Sequence, residues 1–196
     1  KSVDTFNKDS QSYNLSRPQY PEDIHLFLKS QCAETKIAWD SGCGTGQVAA
    51  SLSLYFDLVE ATDISEQQLQ HAIKADNINY SLQASEHTYF PNNYFDLVCV
   101  AQAMHWFKID DFLTEVKRVL KPGGVFACFG YSFFRIEPDI DKTLEKCILE
   151  PIRPYWSERN KLLWNNYNDI QFPFKQIDSP EFKMMQYWDK IELVNY

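Results

Sequence analysis

At 196 residues, with 44% apolar and 23% charged side chains, the chain has material for one globular domain with a full core. Its formal net charge of −8 excludes the broad basic surface that DNA, bulk RNA or an anionic membrane requires, though not a small acidic ligand in a local basic pocket. Five cysteines, odd in number and widely spaced without a CxxC pair, offer neither a zinc site nor a redox motif and suit a reducing compartment.

Lys1 to Ser12 is polar and lacks the apolar stretch of a signal peptide, and no run is long enough to span a bilayer. The expectation is a soluble, cytoplasmic protein. Residues 1–21 read as an arm ending in Arg17-Pro18-Gln19-Tyr20-Pro21. Pro21 with Glu22 and Asp23 then opens a helix, because proline suits the first turn and acids suit the helix N-terminus. Ile24, Leu26, Phe27 and Leu28 supply its apolar side. Lys36 to Asp40 is a short strand that runs into Ser41-Gly42-Cys43-Gly44-Thr45-Gly46, and a helix with Val48, Ala49, Leu52 and Leu54 follows. Leu58 to Thr62 is a second strand, ending at Asp63. Ser65-Glu66-Gln67-Gln68 has capping-box spacing and opens a helix carrying Leu69, Ala72 and Ile73. Ile78 to Leu82 is a third strand.

Tyr94 to Ala101 is a continuous apolar strand of the kind found in a parallel sheet covered on both faces. Ile109 to Leu120 carries Phe112, Leu113, Val116, Val119 and Leu120 on one helical face, and Lys121-Pro122-Gly123-Gly124 ends it. Val125 to Gly130 is the fifth strand. Strands alternating with helices at this spacing predict an α/β fold with a doubly wound, mostly parallel sheet. From Arg135 the alternation stops. Asp139 to Leu149 and Glu158 to Trp164 read as helices separated by Pro151 and Pro154, Gln171 to Phe182 as irregular, and Met184 to Tyr196 as strand or helix. The expected organisation is a core over 1–134 and a helical, substrate-side appendage of the same domain over 135–196. Aromatics reach 15% and cluster after residue 130, as an aromatic cleft or as ordinary packing.

A strand, the turn Gly42-x-Gly44-x-Gly46 and a helix make a nucleotide-binding geometry, since glycines let a ligand lie against bare backbone beside free helix N–H groups. The spacing is GxGxG, whereas the dinucleotide fingerprint wants GxGxxG or GxGxxA, and Gln47 stands where its last small residue would be. Asp63 lies 17 residues after Gly46, where nucleotide-binding folds place an acid for ribose hydroxyls. The combination favours adenosylmethionine over a pyrophosphate.

Asp40-Ser41-Gly42-Cys43-Gly44-Thr45-Gly46 resembles the first motif of class I S-adenosylmethionine-dependent methyltransferases. Lys121-Pro122-Gly123-Gly124 resembles the motif before their fifth strand. Ala101-Gln102-Ala103-Met104-His105-Trp106-Phe107, with Tyr13 and Arg17-Pro18-x-Tyr20-Pro21, resembles the trans-aconitate methyltransferase-like (methyltransferase type 11) branch, with matches in order over about residues 6–131. The resemblance implies S-adenosylmethionine as cofactor and S-adenosylhomocysteine as product. Gly42, Gly44 and Gly46 would pass beneath the methionine part, Asp40 would help orient it, and Arg17 would pair with its carboxylate. Asp63 would take the ribose hydroxyls, Ile64 would pack on the adenine, and Ala84, Ser85 and Glu86 would flank the adenine edge. Gln102 and His105 would line the cofactor and substrate side. The superfamily sheet usually has seven strands; five are predicted here, so either the last strands lie beyond this sequence or the sheet is incomplete.

A sulfonium methyl is already activated, so transfer is an in-line displacement that needs proximity, alignment and exclusion of water. A carboxylate acceptor needs no general base, whereas a hydroxyl or carbon acid does. His105 is the candidate base, or else a pocket wall or hydrogen-bond donor. His25, His71 and His87 are expected at the surface. Trp106 could face the sulfonium or the acceptor, or simply pack. Tyr131, Phe133, Phe134, Tyr155 and Trp156 could cap an acceptor pocket, with Arg135, Arg153 or Arg159 binding an acid. The expected protein is a monomeric enzyme acting on a small molecule, with no metal, nucleic-acid or membrane partner. Alternatives are a catalytically silent cofactor binder, a nicotinamide-dependent dehydrogenase and a nucleic-acid methyltransferase; no base-flipping Asn/Asp-Pro-Pro-Tyr motif follows the fourth strand.

Overall fold

The structure, a computed structural model, describes residues 18–189, 191 and 193. Five parallel strands, β1 (Ile37–Ser41), β2 (Leu58–Asp63), β3 (Ile78–Leu82), β4 (Phe95–Ala101) and β5 (Leu120–Phe129), form one sheet in the order β3-β2-β1-β4-β5. Helix α1 (Glu22–Gln31) precedes β1, and α2 (Gln47–Leu52), α3 (Glu66–Gln70) and α4 (Ile109–Val119) lie in the β1–β2, β2–β3 and β4–β5 crossovers. The doubly wound α/β architecture is thus the one expected. From β1 the chain winds outward to β2 and β3, then returns to the other side of β1 for β4 and β5. That reversal places a crevice at the carboxyl ends of β1 and β4, where open α/β sheets hold ligands.

Both faces of the sheet are covered, and β4 shows why its sequence is apolar at every position but Asp96. Leu97 and Cys99 pack in a cluster with Leu28, Val48, Leu52 and Val59, whereas Val98 and Val100 face Phe112, Val116 and Val119 of α4. The two-residue alternation of a strand distributes consecutive apolar residues to opposite cores. Trp39 of β1 is fully buried, and its indole N–H donates to Thr62 Oγ1 at 2.9 Å, which removes the cost of a buried unpaired donor.

Lys121-Pro122-Gly123-Gly124 ends the helix as expected, but it also forms a bulge at the start of β5. Phe95 pairs with Leu120 and Leu97 with Val125, so the four residues oppose Asp96 alone. Lys121 Nζ reaches Asp96 Oδ1 at 2.7 Å, and the other carboxylate oxygen accepts the Lys36 and Ile37 N–H groups at 3.1 and 2.9 Å.

Five local expectations need correction. Leu54 falls beyond α2 and is 76% exposed, and α3 stops at Gln70, short of Ala72 and Ile73. His25 is buried rather than at the surface, because it shares α1 with Ile24 and Leu28 on the face against the sheet. Helical structure runs through Pro151: α5 (Pro138–Leu144) continues as a π turn (Glu145–Leu149) and α6 (Glu150–Ile152). Widening to i→i+5 bonding is a known way of accommodating an irregularity in a helix. A 3₁₀ turn, Arg153–Tyr155, follows, and α7 spans Asn160–Trp164, starting two residues later than Glu158.

Candidate active site

A cleft of about 400 Å³ opens at the carboxyl ends of β1 and β4. Its floor is the turn from β1 into α2, where Gly42, Gly44 and Gly46 hold φ of +70°, +55° and +78°. At two of these positions a side chain is also excluded by space. A Cβ on Gly42 would lie 2.7 Å from Ala103 Cβ, and one on Gly46 2.1 Å from the Tyr80 hydroxyl. The Gly42 and Cys43 N–H groups donate to Thr62 O at 2.8 and 2.9 Å, tying the turn to β2.

Asp63 at the end of β2 accepts the Gly44 N–H on Oδ2 and the Ser65 N–H on Oδ1, each at 2.8 Å. Burial raises its pKa, and the Ser65, Gly44 and Ile64 amides oppose the rise. Ser65 caps α3 by accepting the Gln68 N–H, as the capping-box spacing predicts. Ile64 lines the cleft and is 49% exposed. Ser85 is buried and hydrogen bonds to Ser41 Oγ at 2.7 Å, while Glu86 accepts the Lys108 N–H at the start of α4.

Asp40 is 1% exposed and faces the cleft. Burial pushes its carboxyl up to about 7, against the pull of the Ala49 amide and with the push of nearby Asp63. Its Oδ2 is buried with no hydrogen-bond partner among the described residues. An orphaned buried acceptor costs about 1–3 kcal/mol, which a bound donor would recover.

The opposite wall comes from the end of β4 and from the appendage. Gln102 sits at φ +55°, its N–H donating to Phe129 O at 3.0 Å and its Nε2 to Tyr131 O at 2.8 Å. His105 and Trp106 occupy a 3₁₀ turn, Met104–Trp106; His105 is buried, with Nδ1 3.2 Å from the Tyr167 hydroxyl. Asn160, Leu163 and Trp164 of α7 complete this wall together with Pro18 and Tyr20.

Of the residues singled out from sequence, Asp40, Gly42, Gly44, Asp63, Ile64, Ser85, Glu86, Gln102, His105, Trp106 and Tyr131 all line this one cleft. Gly46 lies beneath it, under Tyr80. Arg135 lines a second, open cavity of about 1290 Å³ on the far side of Trp164, a residue the two cavities share. Arg17 and Tyr13 fall outside the described residues. Arg153 is engaged by Glu145, and Arg159 donates to the Trp106 carbonyl. Sequence reading missed Asn160 and Trp164 as cleft residues and Tyr167 as the partner of His105, and no motif marks them.

Residues 39–128 match the family model of the methyltransferase domain. A Dictyostelium discoideum protein named as a methyltransferase is 35% identical over 176 residues, covering 88% of this chain and 67% of its own length. The chain belongs to the class I S-adenosylmethionine-dependent methyltransferases. This family of enzymes takes S-adenosylmethionine as its cofactor. An uncharacterized methyltransferase of Schizosaccharomyces pombe is 27% identical over 158 residues, 77% of this chain and 63% of that protein. A solved structure named for a type II methyltransferase of Anaeromyxobacter dehalogenans superposes with a TM-score of 0.85 at 31% identity, over 92% of this chain and 77% of that one. The chain therefore spans about two thirds of the two curated relatives. Among the described residues no helix is long and apolar enough to cross a membrane, and no group of three or more His, Cys, Asp and Glu side chains is placed to hold a metal.

Proposed function

We propose that this methyltransferase transfers the methyl group of S-adenosylmethionine to a small carboxylic acid, as in the trans-aconitate methyltransferase-like branch. The observation that carries the cofactor site is the unpartnered Asp40 Oδ2 buried in a cleft floored by three glycines and edged by Asp63. These groups fit a ligand with an ammonium at one end and a ribose at the other. Asp40 would take the ammonium, Gly42 and Gly44 would leave room for the methionine chain, and Gly46 would let the turn close beneath it. Asp63 keeps acceptor capacity for ribose hydroxyls beyond its two amide bonds, since a carboxylate offers about four lone-pair sites. Ile64 would cover the adenine face, with Ser85 and Glu86 at its edge. Arg17 is assigned to the methionine carboxylate on the family resemblance alone.

Bound in this cleft, S-adenosylmethionine supplies an already activated sulfonium methyl. The chain's own contribution is then alignment and exclusion of water. Gln102, Trp106 and Tyr131 would form the acceptor side, and α7 roofs the cleft against solvent. Arg135 supports an acidic acceptor: unlike Arg153 and Arg159, it has no ion pair or hydrogen bond among the described residues, and it sits beside the stacked Phe133–Phe134 pair, whose centroids are 4.4 Å apart. This reading divides labour between a cofactor core, 1–134, and a substrate-side appendage, 135–196. It extends to a cytoplasmic monomer, supported by free, widely spaced cysteines and by a cleft that one chain walls.

Calorimetric titration with S-adenosylhomocysteine, beside an Asp63→Ala variant, tests the cofactor site. Release of S-adenosylhomocysteine from S-adenosylmethionine, measured across a panel of small acids, tests the acceptor. Binding that is lost in the variant, with product formed only when an acid is present, is the expected result. An unaltered protein that does not bind would overturn the reading, and binding without turnover would leave a silent cofactor binder.

A further inference from the structure

The short helix α7 ends in a Schellman motif: the Tyr167 N–H donates to Leu162 O at 2.8 Å and the Asn166 N–H to Leu163 O at 3.0 Å. Asn166 holds φ +51°, as the residue after such a helix end should, and asparagine tolerates it. The motif does not require the next residue to be left-handed. Tyr167 nevertheless sits at φ +57°, a conformation that is costly for a bulky side chain and persists only where the surroundings impose it. The result is that the phenol turns inward, 4% exposed, with its hydroxyl 3.2 Å from His105 Nδ1.

We infer that Tyr167 is a positioning residue, whose hydroxyl donates to His105 Nδ1 and fixes the imidazole as its Nε2–H tautomer. The nitrogen away from Tyr167 then carries a proton, which makes it a hydrogen-bond donor and not a base. The argument is one of proton placement. Burial pushes the Tyr167 phenol up, so it keeps its proton, and the His105 backbone amide bears on the phenol oxygen as a donor. A buried hydroxyl proton needs an acceptor, and among the described residues His105 Nδ1 is the one within reach. A proton on Nδ1 would leave the phenol proton orphaned, whereas a bare Nδ1 accepts it. For its functional meaning the inference rests on methyl transfer taking place in this cleft, and an Nε2–H there suits a carboxylate acceptor, which accepts hydrogen bonds and needs no base.

The test is nitrogen NMR on the protein labelled with [¹⁵N]histidine, in long-range proton–nitrogen spectra well above the ordinary histidine pKa. The four histidines are separated by assigning His105 through a His105→Asn variant. We expect a protonated Nε2 and an unprotonated, hydrogen-bonded Nδ1. Tyr167→Phe keeps the ring and should shift Nδ1 downfield, toward the position of an unbonded nitrogen, while S-adenosylhomocysteine affinity stays unchanged. A proton on Nδ1 in the parent protein overturns the inference, as does an Nδ1 resonance that Tyr167→Phe leaves in place. Should Tyr167→Phe fail to fold, the parent spectrum alone decides. With an active acceptor, Tyr167→Phe should lower kcat roughly tenfold, the loss of about one hydrogen bond, without moving KM for S-adenosylmethionine. Absent turnover in the parent would count against the methyl-transfer reading, whereas the nitrogen spectra judge Tyr167 separately.

Discussion

Asp63 grips the glycine turn from the neighbouring strand, its Oδ2 accepting the Gly44 N–H at 2.8 Å. The same carboxylate therefore shapes the cleft floor and presents its remaining acceptor sites to a ligand. Asp63→Ala removes both. With hydrogen bonds to a charged group at about 1.5–3 kcal/mol each, loss of the ribose contacts should weaken S-adenosylhomocysteine binding by about 100-fold or more. Asp63→Asn should fall between variant and parent. An Asp63→Ala protein that titrates within about threefold of the parent would remove Asp63 from the cofactor site.

Asp40 makes stability depend on pH in an unusual direction for a carboxylate. Its folded pKa, about 7, lies well above the ordinary carboxylate value, so its favourable contribution is complete below about pH 4 and is lost as pH rises through 7. The rise corresponds to on the order of 4 kcal/mol. The unliganded protein should melt higher at pH 5.5 than at pH 8, and Asp40→Asn should flatten that slope. Melting curves across this range that are identical for parent and variant would show that Asp40 does not titrate there.

Gly46→Ala should destabilise the fold for two separable reasons. Its φ of +78° disfavours any Cβ, and the Tyr80 hydroxyl stands 2.1 Å from where that Cβ would lie. The expected cost is about 2 kcal/mol or more in denaturant unfolding. Tyr80→Phe also loses the hydroxyl's 2.7 Å bond to Ile73 O, so alone it should destabilise too. Combined with Gly46→Ala it should cost less than the sum of the two single changes. Strict additivity would mean that the turn relaxes away from Tyr80.

Arg135 and Arg153 line the same cavity but differ in their engagement, because Glu145 holds Arg153. If an acid docks beside Phe133 and Phe134, Arg135→Gln should raise its KM about tenfold, and Arg153→Gln should leave it nearly unchanged. Steady-state kinetics with the best acid from the acceptor panel decide this. Equal effects of the two changes would assign the acid another partner.

What could be read from the sequence was whatever local backbone rules impose. The glycine turn was legible because a left-handed backbone needs glycine, and the acid ending β2 because the strand places it a fixed distance away. The core of β4 was legible because burial on both faces leaves an unbroken apolar run, Leu97 to Ala101, after Asp96. Tyr167, Asn160 and Trp164 were not, since their places depend on how the appendage docks on the sheet and no periodicity encodes that. His25 was misread for a related reason: its neighbour Leu26 looks more apolar, but the helical phase puts His25 on the face of Leu28, three residues on, and leaves Leu26 44% exposed. Helix through Pro151 escaped because a proline normally ends a helix, and a π turn that absorbs one leaves no local mark.

The crevice between the outward and return windings of the sheet exists because of strand order, not because of the side chains around it. The order β3-β2-β1-β4-β5 makes the crevice, and the glycines of its floor keep it open. If the appendage binds the acceptor, as proposed, holding the cofactor and choosing what to methylate become separate problems, set by separate stretches of chain.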